Sequence, residues 1–201
     1  MAVISNGTTL INNATLDSGV ATGAMKLITT NTISSAASSI SFTSGIDTTY
    51  KSYIFYWNNI KPSAVDAQFT FQGSTNGGSS YGISTTVAYY NAYHNESGTT
   101  TNLGYRTGED QANSTDYQSF QVNYGGEADE NGAGWLQIFE PSSTTYIKHF
   151  ISRSSNYHSA DYAIDCFFGG YFNTASNINA IDFKMDNGNT ASGTIKMYGI
   201  L

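Results

Sequence analysis

From Ile40 to the C-terminus, apolar and polar residues trade places at every second position. No stretch of ten or more residues carries the spacing of an amphipathic helix. That alternation is the strongest constraint in the chain, because successive side chains of a strand point to opposite faces. "SISFTSGI" puts Ile40 and Phe42 on one face, and "DAQFTFQ" sets Phe69 and Phe71 against Gln68, Thr70 and Gln72. "YKSYIFYWNNI" is apolar on both faces, with Tyr53, Phe55 and Trp57 opposite Ile54 and Tyr56, which predicts a central strand. Further strands are predicted in "TTVAYYNAY", "DYQSFQVNY", "GWLQIFE", "TTYIKHFIS", "IDCFFGGYF", "INAIDFKMD" and "GTIKMYGI". Turns are predicted near Gly77-Gly78, Gly125-Gly126, Asn131-Gly132 and Asn187-Gly188.

Roughly ten strands without a helical crossover require antiparallel pairing. The predicted fold is all-β, an antiparallel two-sheet β-sandwich of jelly-roll type. A barrel and an immunoglobulin-like sandwich are the alternatives. Residues 1–38 stand apart, with no aromatic residue in a chain that is 14% aromatic. They read as an extended or short-stranded N-terminal arm that anchors the protein or joins subunits, and residues 39–201 read as the sandwich domain.

Composition narrows the function. The formal net charge is −7 and only 11% of residues are charged. Such a chain is poorly suited to neutralising nucleic-acid phosphates. The lone cysteine, Cys166, permits no internal disulfide and reads as a small buried hydrophobe. No secretory signal and no membrane span is recognised, so any extracellular role needs another exit route, such as host-cell lysis. Four N-x-[ST] sequons, at Asn6, Asn13, Asn95 and Asn113, read as a consequence of an Asn/Thr-rich composition.

Several stretches invite a chemical reading. "STNGGSSY", residues 74–81, approximates the S-x-D-x-G-x-T-W Asp-box, with Asn for Asp and Tyr for Trp. It occurs once, between two predicted strands, and reads as a hairpin tip. Seven acids and no Lys or Arg lie between Thr107 and Ile147. Within them, Glu127, Asp129 and Asn131 beside a glycine form the candidate Ca2+ site, against a plain acidic loop. His94, His149 and His158 show no metal-ligand spacing, and His149 is expected to pack on a strand face with Ile147 and Ile151. Tyr89, Tyr90, Tyr93 and Tyr157 are candidates for a glycan-binding aromatic surface, against a core role. No catalytic or cofactor-binding residue is assigned.

The stretches "SISFTSGIDTTYKSYIFYWNNIKP", "AYHNES", "LGYRTGEDQANSTDYQS", "FEPSSTTYIKHF", "GGYFNTASNINAIDFKMDNGN" and "GTIKMYGI" resemble virion structural proteins of tailed bacteriophages, especially small marine-phage proteins. The resemblance spans about residues 39–201. It implies a non-enzymatic, β-rich part of the particle, of tail-fibre, tail-accessory or head-decoration class, and carries over no catalytic residue. The expected partners are further copies of the chain, as a trimer, and other virion proteins. The expected location is the virion surface. The alternative is a carbohydrate-binding module or receptor-binding protein recognising host surface glycans.

Overall fold

A computed structural model describes residues 2–5, 8–12, 15–16 and 24–201. The described residues form strands, turns and loops without a helix. In chain order the strands are β1 (Ala2–Ser5), β2 (Thr8–Asn12), β3 (Thr15–Leu16), β4 (Met25–Ile33), β5 (Ile40–Phe42), β6 (Ser52–Pro62), β7 (Phe69–Ser74) and β8 (Thr85–Asn95). They continue as β9 (Thr101–Tyr105), β10 (Gln111–Ser114), β11 (Gln118–Ser119), β12 (Gly132–Phe139), β13 (Lys148–His158), β14 (Tyr162–Phe172), β15 (Ala180–Met185) and β16 (Thr190–Ile200).

β1, β2 and β3 pair into a small antiparallel sheet. The remaining strands build two sheets. The larger has nine strands in the order β10-β8-β14-β13-β12-β6-β16-β4, with β9 also paired to β8. The smaller has four, in the order β11-β7-β15-β5. All pairs are antiparallel, as the absence of crossover helices requires.

Eight of these strands nest from the outside in: β4 pairs with β16, β5 with β15, β6 with β12, and β7 with β11. Each nested pair lies in the opposite sheet from the next, so the chain wraps both layers as it folds. The insertions β8–β10 and β13–β14 widen the larger sheet on one side.

Aromatic side chains from both inner faces fill the space between the layers. Phe71 on β7 meets Phe150 on β13 edge-on at 5.3 Å, and Phe183 on β15 lies 5.3 Å from Phe55 on β6. Phe120, fully buried, touches Trp57, Phe69, Phe71, Phe168 and Phe183, so it joins the sheets at the centre of the core. Such pairs add about 0.5–1.5 kcal/mol each beyond the area they bury.

Several expectations change in detail. Met25–Ile33, within the stretch read as an arm, forms the edge strand β4 of the larger sheet. Of the rest of the expected arm, β1–β3, Ala24 and residues 34–38 are described, with Ala37 bridged to Thr190, and the other residues lie outside the described ones. The predicted strand "DYQSFQVNY" is a strand only at Gln118–Ser119. Beyond it, side chains of the larger sheet take over the carbonyls: Tyr89 and Ser154 donate to Phe120 O, and Asn156 donates to Val122 O at 2.9 Å. The turn at Gly77-Gly78 is real, but β7 and β8 belong to different sheets. "STNGGSSY" is therefore a sheet-to-sheet connection rather than a hairpin tip.

Candidate functional site

Antiparallel sheets that face water on one side normally carry polar residues there. The outer face of the larger sheet departs from that rule. Cross-strand partners line up as one row running Tyr105, Tyr90, Phe167, Arg153, Trp135, Tyr56 and Lys196, one residue from each of seven neighbouring strands. Tyr105 is 47% exposed, Tyr90 39%, Tyr56 38% and Phe167 36%, although each sits on a well-paired strand.

The row is held in shape by its own contacts. Tyr90 and Phe167 stack with ring centroids 5.4 Å apart and planes 8° from parallel. Tyr105 meets Tyr90 edge-on at 5.2 Å, and Tyr56 meets Tyr198 edge-on at 5.9 Å. Arg153 makes a two-pronged ion pair with Asp165, Nε donating to Oδ1 at 3.0 Å and Nη2 to Oδ2 at 2.7 Å. That bond raises the Arg153 pKa, so the cation in the row is permanent and already partnered. The apolar character continues along the face through the exposed Ile151 and Phe139 to Met25 and Leu27 on the edge strand β4.

At one end of this face an open cleft of about 700 Å3 is floored by Ala133, Ser155 and Ala163 and edged by Tyr157, His94, Glu96 and Asn131. Tyr157 donates its hydroxyl to Asp161 Oδ1 at 3.1 Å, and burial followed by the bonds to Asp161 and Glu96 pushes its pKa up to about 12. The cleft thus offers one aromatic wall and neutral or acidic hydrogen-bonding groups.

The structure divides the predicted aromatic surface. Tyr90 and Tyr157 lie on the outer side. Tyr89 is fully buried, stacks on Phe168 at 5.4 Å and donates to Phe120 O at 3.0 Å. Its assignment to an exposed platform is corrected: neighbours on one strand face opposite ways, so Tyr89 and Tyr90 cannot share a surface. Tyr93 points with Tyr89 to the inner side, half-buried against Tyr162. Phe167, Trp135 and Tyr105 were not foreseen. Their signal was the alternation itself, which in "IDCFFGGYF" leaves Phe167 opposite the core residues Cys166 and Phe168.

The acidic stretch is not drawn together. Glu127, Asp129 and Asn131 are all exposed in one loop. Glu130 turns back to accept the Glu127 amide, Glu127 O accepts from Lys61, and Asn131 donates to Asp129 O. Elsewhere Glu109 pairs with Arg106, Asp110 accepts from Tyr105, and Glu140 pairs with Lys51. Among the described residues, no three of His, Cys, Asp and Glu are grouped as a metal would need. The histidines are apart as well, and His149 is exposed on the outer face, edge-on to Tyr171, rather than packed. Cys166 is buried as expected, and burial pushes its thiol pKa up to about 11.

The "STNGGSSY" connection is satisfied from within. Ser74 Oγ accepts from the amides of Asn76 and Gly78, and Asn76 Oδ1 accepts from the Ser74 hydroxyl and the Ser80 amide. Ser74, Asn76 and Ser80 thus spend their side chains on holding the turn, while the buried Tyr81 hydroxyl has no partner.

No protein family matches this chain, and neither any curated protein nor any solved structure is significantly similar to it.

Proposed function

We propose that this protein is a non-enzymatic structural component of the exterior of a tailed-phage particle. It assembles with copies of itself through the outer face of the larger sheet. The observation that carries the assembly reading is the row from Tyr105 to Tyr56, which leaves aromatic side chains exposed from the edge strand β9 across the central strands of the larger sheet. Exposed apolar surface in one contiguous patch marks contact surfaces, and Tyr, Trp and Arg are the residues enriched at their centres. The particle location rests on the sequence resemblance. The nested pairing of eight strands is read as a jelly roll, a compact wrap that needs no disulfide and suits assembly in a reducing host cytoplasm. The strands before β4 would link subunits or anchor them.

Mass spectrometry of purified particles from a phage carrying this gene tests the location. The expected result is the protein as a particle component resistant to washing, and its absence from particles would contradict the reading.

A second reading has its own observation, the cleft beside Tyr157. There an aromatic wall stands beside Asn131, His94 and Glu96, in a surface suited to a host glycan. Glycan-array binding that disappears in Tyr157→Ala and persists in Tyr90→Ser would favour that reading.

A further inference from the structure

Asn-Gly pairs begin at Asn6, Asn76, Asn131 and Asn187, and the first lies outside the described residues. Asparagine is a heat-labile side chain, and a glycine after it leaves the next backbone nitrogen unhindered for attack on the side-chain amide. That attack needs a free side chain, a free glycine N–H and a peptide able to turn toward it.

Two of the described pairs are locked. Asn76 Nδ2 donates to Ser80 Oγ at 2.9 Å, and Asn76 Oδ1 accepts the Ser80 amide at 3.0 Å. The Gly77 amide, the would-be nucleophile, donates to Asn179 Oδ1 at 2.8 Å. Asn131 Nδ2 donates to Asp129 O at 3.1 Å, and the Asn131 carbonyl accepts the Tyr157 amide at 3.2 Å. Gly132 is buried in β12, paired with Asn156 on one side and Ile60 on the other.

Asn187 differs on each count. Asn187 and Gly188 are exposed in the turn that carries the chain from β15 in the smaller sheet to β16 in the larger. Clamps hold this turn at both ends: Gln68 N donates to Asp186 Oδ1 at 2.7 Å, and Asn189 N donates to Ser63 Oγ at 2.9 Å. Between the clamps, neither the Asn187 side chain nor the Gly188 amide has a hydrogen-bond partner among the described residues. The fold also fixes the glycine. Its φ is +70°, and a Cβ there would meet Ser63 Oγ at 2.8 Å and Ala64 Cβ at 3.1 Å, so no bulkier residue shields Asn187.

We propose that Asn187 is a site of spontaneous deamidation, through a cyclic imide formed with Gly188. Solvent removes the Gly188 amide proton and the nitrogen bonds to Asn187 Cγ. The Cγ–Nδ2 bond breaks, and the side-chain nitrogen leaves as ammonia with a proton from solvent. Water then opens the ring at Cγ to give aspartate, or at the backbone carbonyl to give isoaspartate. Either product sets a second carboxylate beside Asp186, and isoaspartate also lengthens the main chain between the two sheets. The site stands independently of the assembly reading and of the outer cleft.

Peptide mapping by mass spectrometry tests this on the full chain held in mildly alkaline buffer, with isoaspartate methyltransferase labelling as a second readout. The Asn187 peptide is expected to convert about tenfold or more faster than those of Asn76 and Asn131, which must first open hydrogen bonds. In the urea-unfolded chain the three rates are expected to converge, because the fold no longer ranks them. Conversion at Asn76 or Asn131 as fast as at Asn187 in the folded protein overturns the proposal. So does a ranking that persists in urea, or an Asn187 that stays intact when folded under conditions that convert the unfolded chain.

Discussion

At the residue scale, His158 is the group whose environment most changes its chemistry near neutral pH. Burial holds its pKa below the ordinary 6.5, Asp66 opposes that effect, and Arg106 adds to it. The folded protein therefore takes up this proton less readily than the unfolded chain. The His158 contribution to stability is complete above pH 6.5 and is lost as pH falls through the lower folded value. The expected outcome is a wild-type thermal midpoint that drops on acidification relative to His158→Gln, whose curve lacks this step. A difference between the two that stays constant with pH would contradict the assignment. Residue roles were legible where the pleat alone decides them: Phe69, Phe71, Phe55 and Cys166 are core, as their alternation indicates. They were illegible where the partner decides. Nothing in the local sequence of Asn91 or Lys148 announces that both are buried. Lys148 donates to the carbonyls of Tyr146 and Thr174, partners supplied by two separate loops.

At the element scale, β12 shows how a strand is fitted to its neighbours. A Cβ at Gly134 would lie 2.7 Å from the Arg153 carbonyl oxygen, the Ser154 Cβ and the Trp57 ring. The register against β6 also shifts between Gly132 and Gly134. The missing side chain leaves room for the Trp57 ring beside this register shift. Gly134→Ala is expected to lower stability by about 1–3 kcal/mol, read from the urea midpoint. Gly104→Ala on β9, where only an Asn102 side-chain atom comes within 3.6 Å, is the control and is expected to be neutral. Long strands such as β6, β8 and β14 were legible because their alternation spans many residues. β9 and β10 were not, being short, largely polar and dependent on β8 for pairing. The segment Phe120–Tyr124 alternates like a strand, yet side chains of the opposite sheet bind its carbonyls. A one-dimensional pattern cannot distinguish the two kinds of partner.

At the scale of the whole molecule, the two-layer antiparallel architecture follows from many alternating strands with no helix to connect parallel ones. Which strands pair was not legible, because nesting β4 against β16 joins residues at opposite ends of the domain. The same limit hid the outer row. Tyr105, Tyr90, Phe167, Arg153, Trp135 and Tyr56 are scattered through the sequence and become one surface only through registers between strands. A monomer leaves this surface facing water, whereas an assembly covers it. Sedimentation analysis of the purified full chain tests that account most directly. The prediction is a particle at a whole multiple of the 21.6 kDa chain, a trimer if the expected stoichiometry holds. The double variant Phe167→Ser, Trp135→Ser should return it to the single-chain mass without loss of β-sheet circular dichroism. A wild-type protein that sediments as a single chain at every concentration, or an assembly that survives the double variant, would contradict it.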